Sequence, residues 1–277
     1  MKTVEFATLV SEYEAVFLDA YGVLVDAQGA LDGAPEGLAA LRRAGRRFLI
    51  VSNDASRLPE RSAARFQALG LEVYADEVVS SGQMVARYFE AHGLRGAPTV
   101  VLGSGDSAAF VTAAGAELVA LDVAHPPAVV VLCDEGGFDF FPTMNALLSA
   151  LMAALERGRE VVLLLANPDL IYPRRDGHFG FTAGSLARMI EEALGLVTPR
   201  PPRFVHLGKP ASWIFDAALA RVGTRDVVMV GDQLHTDIAG ARRAGLASAL
   251  VTTGVTRAEA VAASAVKPDY LLRSLRA

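Results

Sequence analysis

Four short apolar runs in this chain end on polar residues that together could bind and transfer a phosphoryl group. "AVFLD" closes on Asp19, "RFLIVSN" on Ser52 and Asn53, "RFVHLGK" on Lys209 and "DVVMVGD" on Asp232. In open parallel sheets, ligands bind beyond the carboxyl ends of strands, so ends distant in sequence can meet at one point. Two neighbouring carboxylates repel unless a hard cation lies between them. Mg²⁺ takes oxygen ligands, commonly one or two carboxylates plus phosphate oxygens. A hydroxyl and an ammonium beside it would engage the other phosphate oxygens, the lysine as a point charge. The carboxylate nearest phosphorus could attack it and form an acyl phosphate. Metal and lysine would stabilise the transferring charge.

Positioning those residues takes a sheet. Further strand candidates are "TVVLGSGD" (99–106), "AVVVLCDE" (128–135), "EVVLLLAN" (160–167) and "ASALVTTG" (247–254). The runs are continuous rather than alternating, which predicts parallel strands buried on both faces. Helical patterns lie between them: "PEGLAALRRAG", "PERSAARFQALG", "MNALLSALMAALERG", "SLARMIEEALG" and "ASWIFDAALARVG". Pro35 near the start and Gly45 at the end of the first follow the expected helix asymmetry. Strand and helix in alternation predict an α/β, doubly wound, Rossmann-like parallel sheet.

The 277 residues suit one large domain or two ordinary ones, and 52% hydrophobic content supplies a sizeable core. Mean hydropathy is +0.33, yet no apolar run reaches the ~18 residues of a membrane span. The N-terminal segment carries Glu5, Glu12 and Glu14 and lacks the apolar stretch of a signal peptide. Net charge is −5 and no basic stripe appears; "LRRAGRRF" is split by Gly45 at a helix end, where the macrodipole explains its arginines. The single cysteine, Cys133, cannot form an internal disulfide and reads as a buried thiol. These features predict a soluble, cytoplasmic protein with neither a nucleic-acid nor a membrane partner.

"FLDAYGVL", "IVSND", "HLGKP" and "VGDQLHTDIAGARRAG" resemble, in order and spacing, the four motifs of the haloacid dehalogenase-like (HAD) hydrolase superfamily. The resemblance is to the subclass of NagD and the p-nitrophenyl phosphatases, and "ANPDLIYP" (166–173) matches its asparagine-proline-aspartate segment. It covers nearly the whole chain. It implies a Mg²⁺-dependent hydrolase of small phosphate esters acting through an aspartyl phosphate. Asp19 matches the nucleophile, Ser52 and Asn53 the phosphate-binding loop, and Lys209 the phosphate-binding lysine. Mg²⁺ would be held by Asp19, the backbone carbonyl of Tyr21 and Asp232, with Asp237 orienting the loop or Lys209. It also implies a catalytic core of residues 1–82 and 182–277 and an inserted α/β cap of residues 83–181. Gly82 and "FGFTAGS" (179–185) are the expected hinges, and Asn167, Asp169 and Tyr172 the expected substrate contacts. The substrate would be a small phosphorylated metabolite, and such caps can take part in a homodimer.

One residue departs from that pattern. The resembling phosphatases carry aspartate two residues after the nucleophile, where this chain has Tyr21. A phenol with pKa ~10 is a poor base at neutral pH, and losing a positioned acid–base group costs roughly 10²–10⁴ in rate. Three outcomes follow: slow hydrolysis, substitution by another group such as His235 or a cap residue, or a phosphate-binding module without turnover. "DAYG" also resembles the first motif of 2-haloacid dehalogenases, although "GDQLHTD" is of the phosphatase type. Finally, "VVLGSGDSAAF" (100–110) reads G-x-G-x-x-A, a form of the dinucleotide fingerprint. Asp106 at the start of its helix would repel a pyrophosphate.

Overall fold

The computed structural model describes residues 1–174, 178–256 and 258–276. Among them, seven parallel strands form the larger sheet: β1 (Lys2–Thr3), β2 (Ala15–Leu18), β3 (Arg47–Ser52), β4 (Val78–Ser80), β12 (Val227–Gly231), β13 (Ala247–Val251) and β14 (Tyr270–Leu272). Their order is β1-β14-β13-β12-β2-β3-β4. From β2 the chain winds one way through β3 and β4; from β12 it winds the other way through β13 and β14. The order therefore reverses between β2 and β12, where a doubly wound sheet opens a crevice. The central strands β2 and β12 are buried along their whole length, as their unbroken apolar runs predict.

A second parallel sheet comprises β5 (Pro98–Leu102), β6 (Glu117–Leu118), β7 (Val129–Leu132), β8 (Val162–Leu165) and β11 (Val205–His206), ordered β11-β8-β7-β5-β6. An antiparallel hairpin, β9 (Ile171–Pro173) with β10 (Phe179–Phe181), follows β8. Helices α1 (Phe6–Glu12), α2 (Ala34–Arg43), α3 (Pro59–Ala68), α4 (Met84–His92), α5 (Gly105–Ala113), α6 (Phe140–Glu156), α7 (Ala183–Gly195), α8 (Ser212–Val222), α9 (Ala239–Arg243) and α10 (Ala258–Ala263) connect the strands.

One continuous apolar cluster joins the two sheets. It contains Phe17, Val51 and Met229 from the larger sheet and Val129, Val131 and Leu164 from the smaller, bridged by Phe89 of α4 and Phe215 of α8. Each fully buried Leu or Phe stabilises the fold by about 1.5–3 kcal/mol, so this shared core ties the sheets firmly. A separate cluster packs α6 and α7 on the other face of the smaller sheet through Leu147, Leu151, Leu186 and Ile190. Thus α7 and β11, which follow the boundary expected at residue 182, lie on the smaller sheet. Each expected hinge contains a close-packed glycine, although Phe179 and Phe181 of the second are exposed. A Cβ on buried Gly82 would strike the ring of Phe110, and one on Gly184 would strike the Pro168 and Asp169 carbonyls.

The G-x-G-x-x-A segment forms a strand–turn–helix unit whose turn is hydrogen-bonded to the loop after β3. Ser104 Oγ donates to the Ser56 carbonyl (2.7 Å) and Ser107 Oγ to that of Ala55 (2.8 Å). Asp106 accepts the Leu58 amide (3.1 Å), and a Cβ on Gly137 would collide with the Gly103 carbonyl. The turn is thus tied to the loop after β3, and buried Asp106 at the helix start opposes a pyrophosphate there.

Candidate active site

Asp19 follows β2 and Asp232 follows β12, so both carboxylates stand at the crevice where strand order reverses. Two loop glycines make room for Asp232: a Cβ on Gly22 (φ +81°) or on Gly254 would collide with its carboxylate. The Val255 amide donates to Asp232 Oδ2 (2.7 Å), while Oδ1 is buried and has no hydrogen-bond partner. The chain then makes a π-helical turn, Leu234–Ile238, a form frequent at functional sites. That turn brings Asp237 back under the loop, where its Oδ2 accepts the amides of Asp232 (3.1 Å) and Gln233 (3.0 Å).

Lys209 reaches the same point by another route. "RFVHLGK" does not extend the larger sheet; only Val205–His206 is strand, and it pairs with β8 at the edge of the smaller sheet. The lysine is instead placed by Asn53, whose Oδ1 accepts the Lys209 amide (2.7 Å) and whose Nδ2 donates to the Lys209 carbonyl (3.2 Å) and to Asp169 Oδ1 (3.0 Å). The fully buried Lys209 Nζ then pairs with Asp19 Oδ1 (2.6 Å) and Asp237 Oδ1 (2.7 Å).

The electrostatics follow from burial. It pushes the Asp19 carboxyl up to about 7; Lys209 works against that shift and Asp237 adds to it. Burial, with Asp19 and Asp237, raises Asp232 well above the usual carboxylate range. Burial works to lower the Lys209 ammonium, but Asp19 and Asp237 outweigh it and keep the lysine protonated. Asp19, Asp232 and Asp237 offer carboxylate oxygens within 4.8 Å of one another. Three carboxylates face one ammonium, so two negative charges need a counterion, which a divalent cation would supply. Asp237 spends both oxygens on Lys209 and the loop amides. Asp19 and Asp232, with its unpartnered Oδ1, are therefore the groups that fit a cation.

A cavity of about 260 Å³ opens onto this cluster, with Asp19, Tyr21, Ser52, Asn53 and Asp232 in its walls. Ser52 Oγ accepts the Asp54 amide (3.2 Å). The expected cap contacts also line it: Asn167, whose Oδ1 accepts the Asp169 amide (3.1 Å); half-buried Asp169, its carboxyl raised mainly by desolvation; and Tyr172. His235 is exposed and is not among the residues lining this cavity, although its charge acts on Asp169, which is. Cys133 is buried, which pushes its thiol up to about 12.

Sequence reasoning missed two features of the walls. Asp134 and Glu135 follow β7 and reach the same cavity. Burial, a hydrogen bond that Glu135 donates to Asp134 and the charge of Asp134 push Glu135 up to about 7. Their position after an apolar strand is the same signal that marked Asp19. Arg65, on α3, lies over the Tyr21 ring with its Cζ 5.8 Å from the centroid. A lone arginine inside a helix carries no such signal.

Comparison with known proteins matches a family model described as haloacid dehalogenase-like hydrolase over residues 16–117 and one described as HAD-hydrolase-like over residues 206–277. Human chronophin is 33% identical over 258 residues, covering 89% of this chain and 83% of its own length. The chain belongs to the haloacid dehalogenase-like hydrolase family. Another HAD relative, the D-glycerol 3-phosphate phosphatase of Mycobacterium tuberculosis, is 31% identical over 97% of this chain and 72% of its own. A crystal structure described as a possible HAD-superfamily sugar phosphatase, from Cytophaga hutchinsonii, superposes with a TM-score of 0.87 at 32% identity, covering 100% of this chain and 99% of that one. In this HAD chain, Tyr21 is half-buried two residues after Asp19.

Proposed function

We propose that this protein is a Mg²⁺-dependent phosphatase of small phosphate esters that forms an aspartyl phosphate on Asp19. The observation that carries the reading is Lys209, buried and paired with both Asp19 and Asp237, beside the orphaned Asp232 Oδ1. Support comes from the relatives: the M. tuberculosis glycerol phosphate phosphatase has been crystallised in complex with magnesium (TM-score 0.80, 29% identity), and a 4-nitrophenylphosphatase of Thermotoga maritima has a TM-score of 0.79 at 28% identity.

Each residue has a role here. Asp19 attacks phosphorus, and Lys209 and Ser52 bind the non-bridging oxygens. Asp19, Asp232 and the backbone carbonyl of Tyr21 hold Mg²⁺, which when bound draws charge off the transferring phosphoryl group. Asp237 fixes Lys209 and the Asp232 loop. The Asn53 side chain is spent on Lys209 and Asp169, so it positions the site and leaves phosphate contact to its backbone. The smaller sheet with its helices is the cap, continuing past residue 182 through α7 and β11. Asn167, Asp169 and Tyr172 form its substrate face.

Tyr21 sets the rate. A neutral phenol cannot activate water as a carboxylate does, so hydrolysis is slow and favours esters with good leaving groups. The enzyme acts on phosphorylated metabolites in the cytoplasm and assembles as a homodimer, which light scattering on the purified protein checks. Among the described residues no helix is long and apolar enough to cross a membrane.

The test is turnover of p-nitrophenyl phosphate with Mg²⁺ and with EDTA. Slow release of p-nitrophenol, stopped by EDTA, supports the reading. Mg²⁺ and phosphate binding with no turnover on a broad ester panel makes the protein a binding module. Halide release from 2-chloropropionate, insensitive to EDTA, makes it a dehalogenase.

A further inference from the structure

Three arginines lie on or just before α3, of which Arg57 and Arg65 line the cleft, and two of the three are paired with acids. Arg57 pairs with Asp54 (3.0 Å) and Arg61 with Asp106 (3.4 Å). The third, Arg65, makes no hydrogen bond or ion pair among the described residues; it lies over the Tyr21 ring. It is half-buried and shares the 260 Å³ cavity with Asp19, beside the apolar side chains of Ile50, Phe66 and Val78.

A guanidinium always carries its charge and presents a planar fork that fits a carboxylate or phosphate. Stacking on an aromatic face orients it without neutralising it. The acids in the same cavity have other partners: Asp19 pairs with Lys209, Asp169 accepts from Asn53 and Asp232 from the Val255 amide. Asp54 is held by Arg57 and Ser56, and Asp134 and Glu135 are hydrogen-bonded to each other. The departure at position 21 bears on this directly. A carboxylate there would put a negative charge on the face Arg65 covers, whereas the phenol gives it a platform and leaves its charge free. The phosphoryl group has Lys209, Ser52 and the metal, so the anion for Arg65 must come from elsewhere in the substrate.

We infer that Arg65, stacked on Tyr21, binds a carboxylate on the leaving alcohol, making phosphorylated hydroxy acids the preferred substrates. The inference rests on the phosphatase reading above. The cavity has room for a three-carbon ester. A charge-assisted, forked contact in a partly desolvated site should shift affinity by roughly 10- to 100-fold.

Matched pairs test it: 3-phosphoglycerate against glycerol 3-phosphate, and fructose 1,6-bisphosphate against fructose 6-phosphate, with p-nitrophenyl phosphate as reference. The expected result is a higher kcat/KM for 3-phosphoglycerate than for glycerol 3-phosphate. Arg65→Gln should raise KM for 3-phosphoglycerate by roughly 10- to 100-fold with a much smaller change in kcat, bringing the ratio of the pair towards one. Arg65→Lys, which keeps the charge and loses the fork, should recover part of the ratio. Independently of any variant, glycerate should inhibit p-nitrophenyl phosphate hydrolysis more strongly than glycerol does.

Equal activity on both members of the three-carbon pair, or equal loss on both in Arg65→Gln, overturns the inference. A dependence on Arg65 confined to the bisphosphate pair overturns the carboxylate assignment in favour of a second phosphate. A wild-type enzyme that hydrolyses p-nitrophenyl phosphate but shows no such preference refutes the Arg65 subsite alone. No hydrolysis of p-nitrophenyl phosphate refutes the reading on which it rests.

Discussion

Replacing Lys209 with methionine removes the ammonium that Asp19 and Asp237 share at 2.6 and 2.7 Å, in a site where all three side chains are buried. Methionine keeps much of the apolar stem but leaves the carboxylates uncompensated. Removing one partner of a buried ion pair costs about 3–5 kcal/mol, a large share of the roughly 5–15 kcal/mol that holds a protein folded. The cost depends on pH with a definite sign. Burial already raises Asp19 to about 7 with Lys209 working to lower it, so loss of the lysine raises it further. A carboxyl raised in the folded state contributes stability that is present below its unfolded pKa and is lost as pH rises through the folded one. The variant's deficit should therefore be larger at pH 8 than at pH 5, where the carboxylates take up protons. Urea unfolding in EDTA at the two pH values measures it, and millimolar Mg²⁺ should restore part of the loss at pH 8 by binding the folded state alone. A deficit under about 1 kcal/mol, or one equal at both pH values, would refute the electrostatic account of the cluster.

Tyr21→Asp should raise kcat on esters with poor leaving groups by roughly 10² or more, and on p-nitrophenyl phosphate by less; a folded, Mg²⁺-binding variant slower than wild type would give the phenol a role of its own. Glu135→Gln should stabilise the fold increasingly between pH 5 and 8. Burial and Asp134 raise Glu135 to about 7, so the wild type loses stability across that window and the amide does not; thermal unfolding at several pH values reads the difference. Asp106→Ala should cost about 1–3 kcal/mol in thermal unfolding, because the Leu58 amide loses its acceptor and Arg61 its partner.

Much of the larger sheet was legible because β2, β3 and β12 are unbroken apolar runs ending on polar residues, a pattern that buried parallel strands require. Lys209 was legible as a member of the site but not in its mechanism of placement. Its apolar run looks like a core strand, yet only two residues pair, and they join the other sheet. The Asn53 side chain positions the lysine, a tertiary effect that local patterning does not encode. The same limit explains "GSGDS". Its spacing satisfies a phosphate loop, while its serines are spent on the loop after β3 and Asp106 opposes an anion. Glu135 carried the strand-end signal of Asp19. Arg65 gains meaning only once folding sets it over Tyr21.

The central claim is that Asp19, Ser52, Lys209 and Asp232 surround a single phosphoryl group. A crystal structure with Mg²⁺ and vanadate tests it most directly. The account predicts vanadium bonded to an Asp19 carboxylate oxygen, its other oxygens on Ser52 and Lys209, and Mg²⁺ on Asp19 and Asp232. Vanadate bound elsewhere, or bound at this cavity without a bond to Asp19, would contradict it.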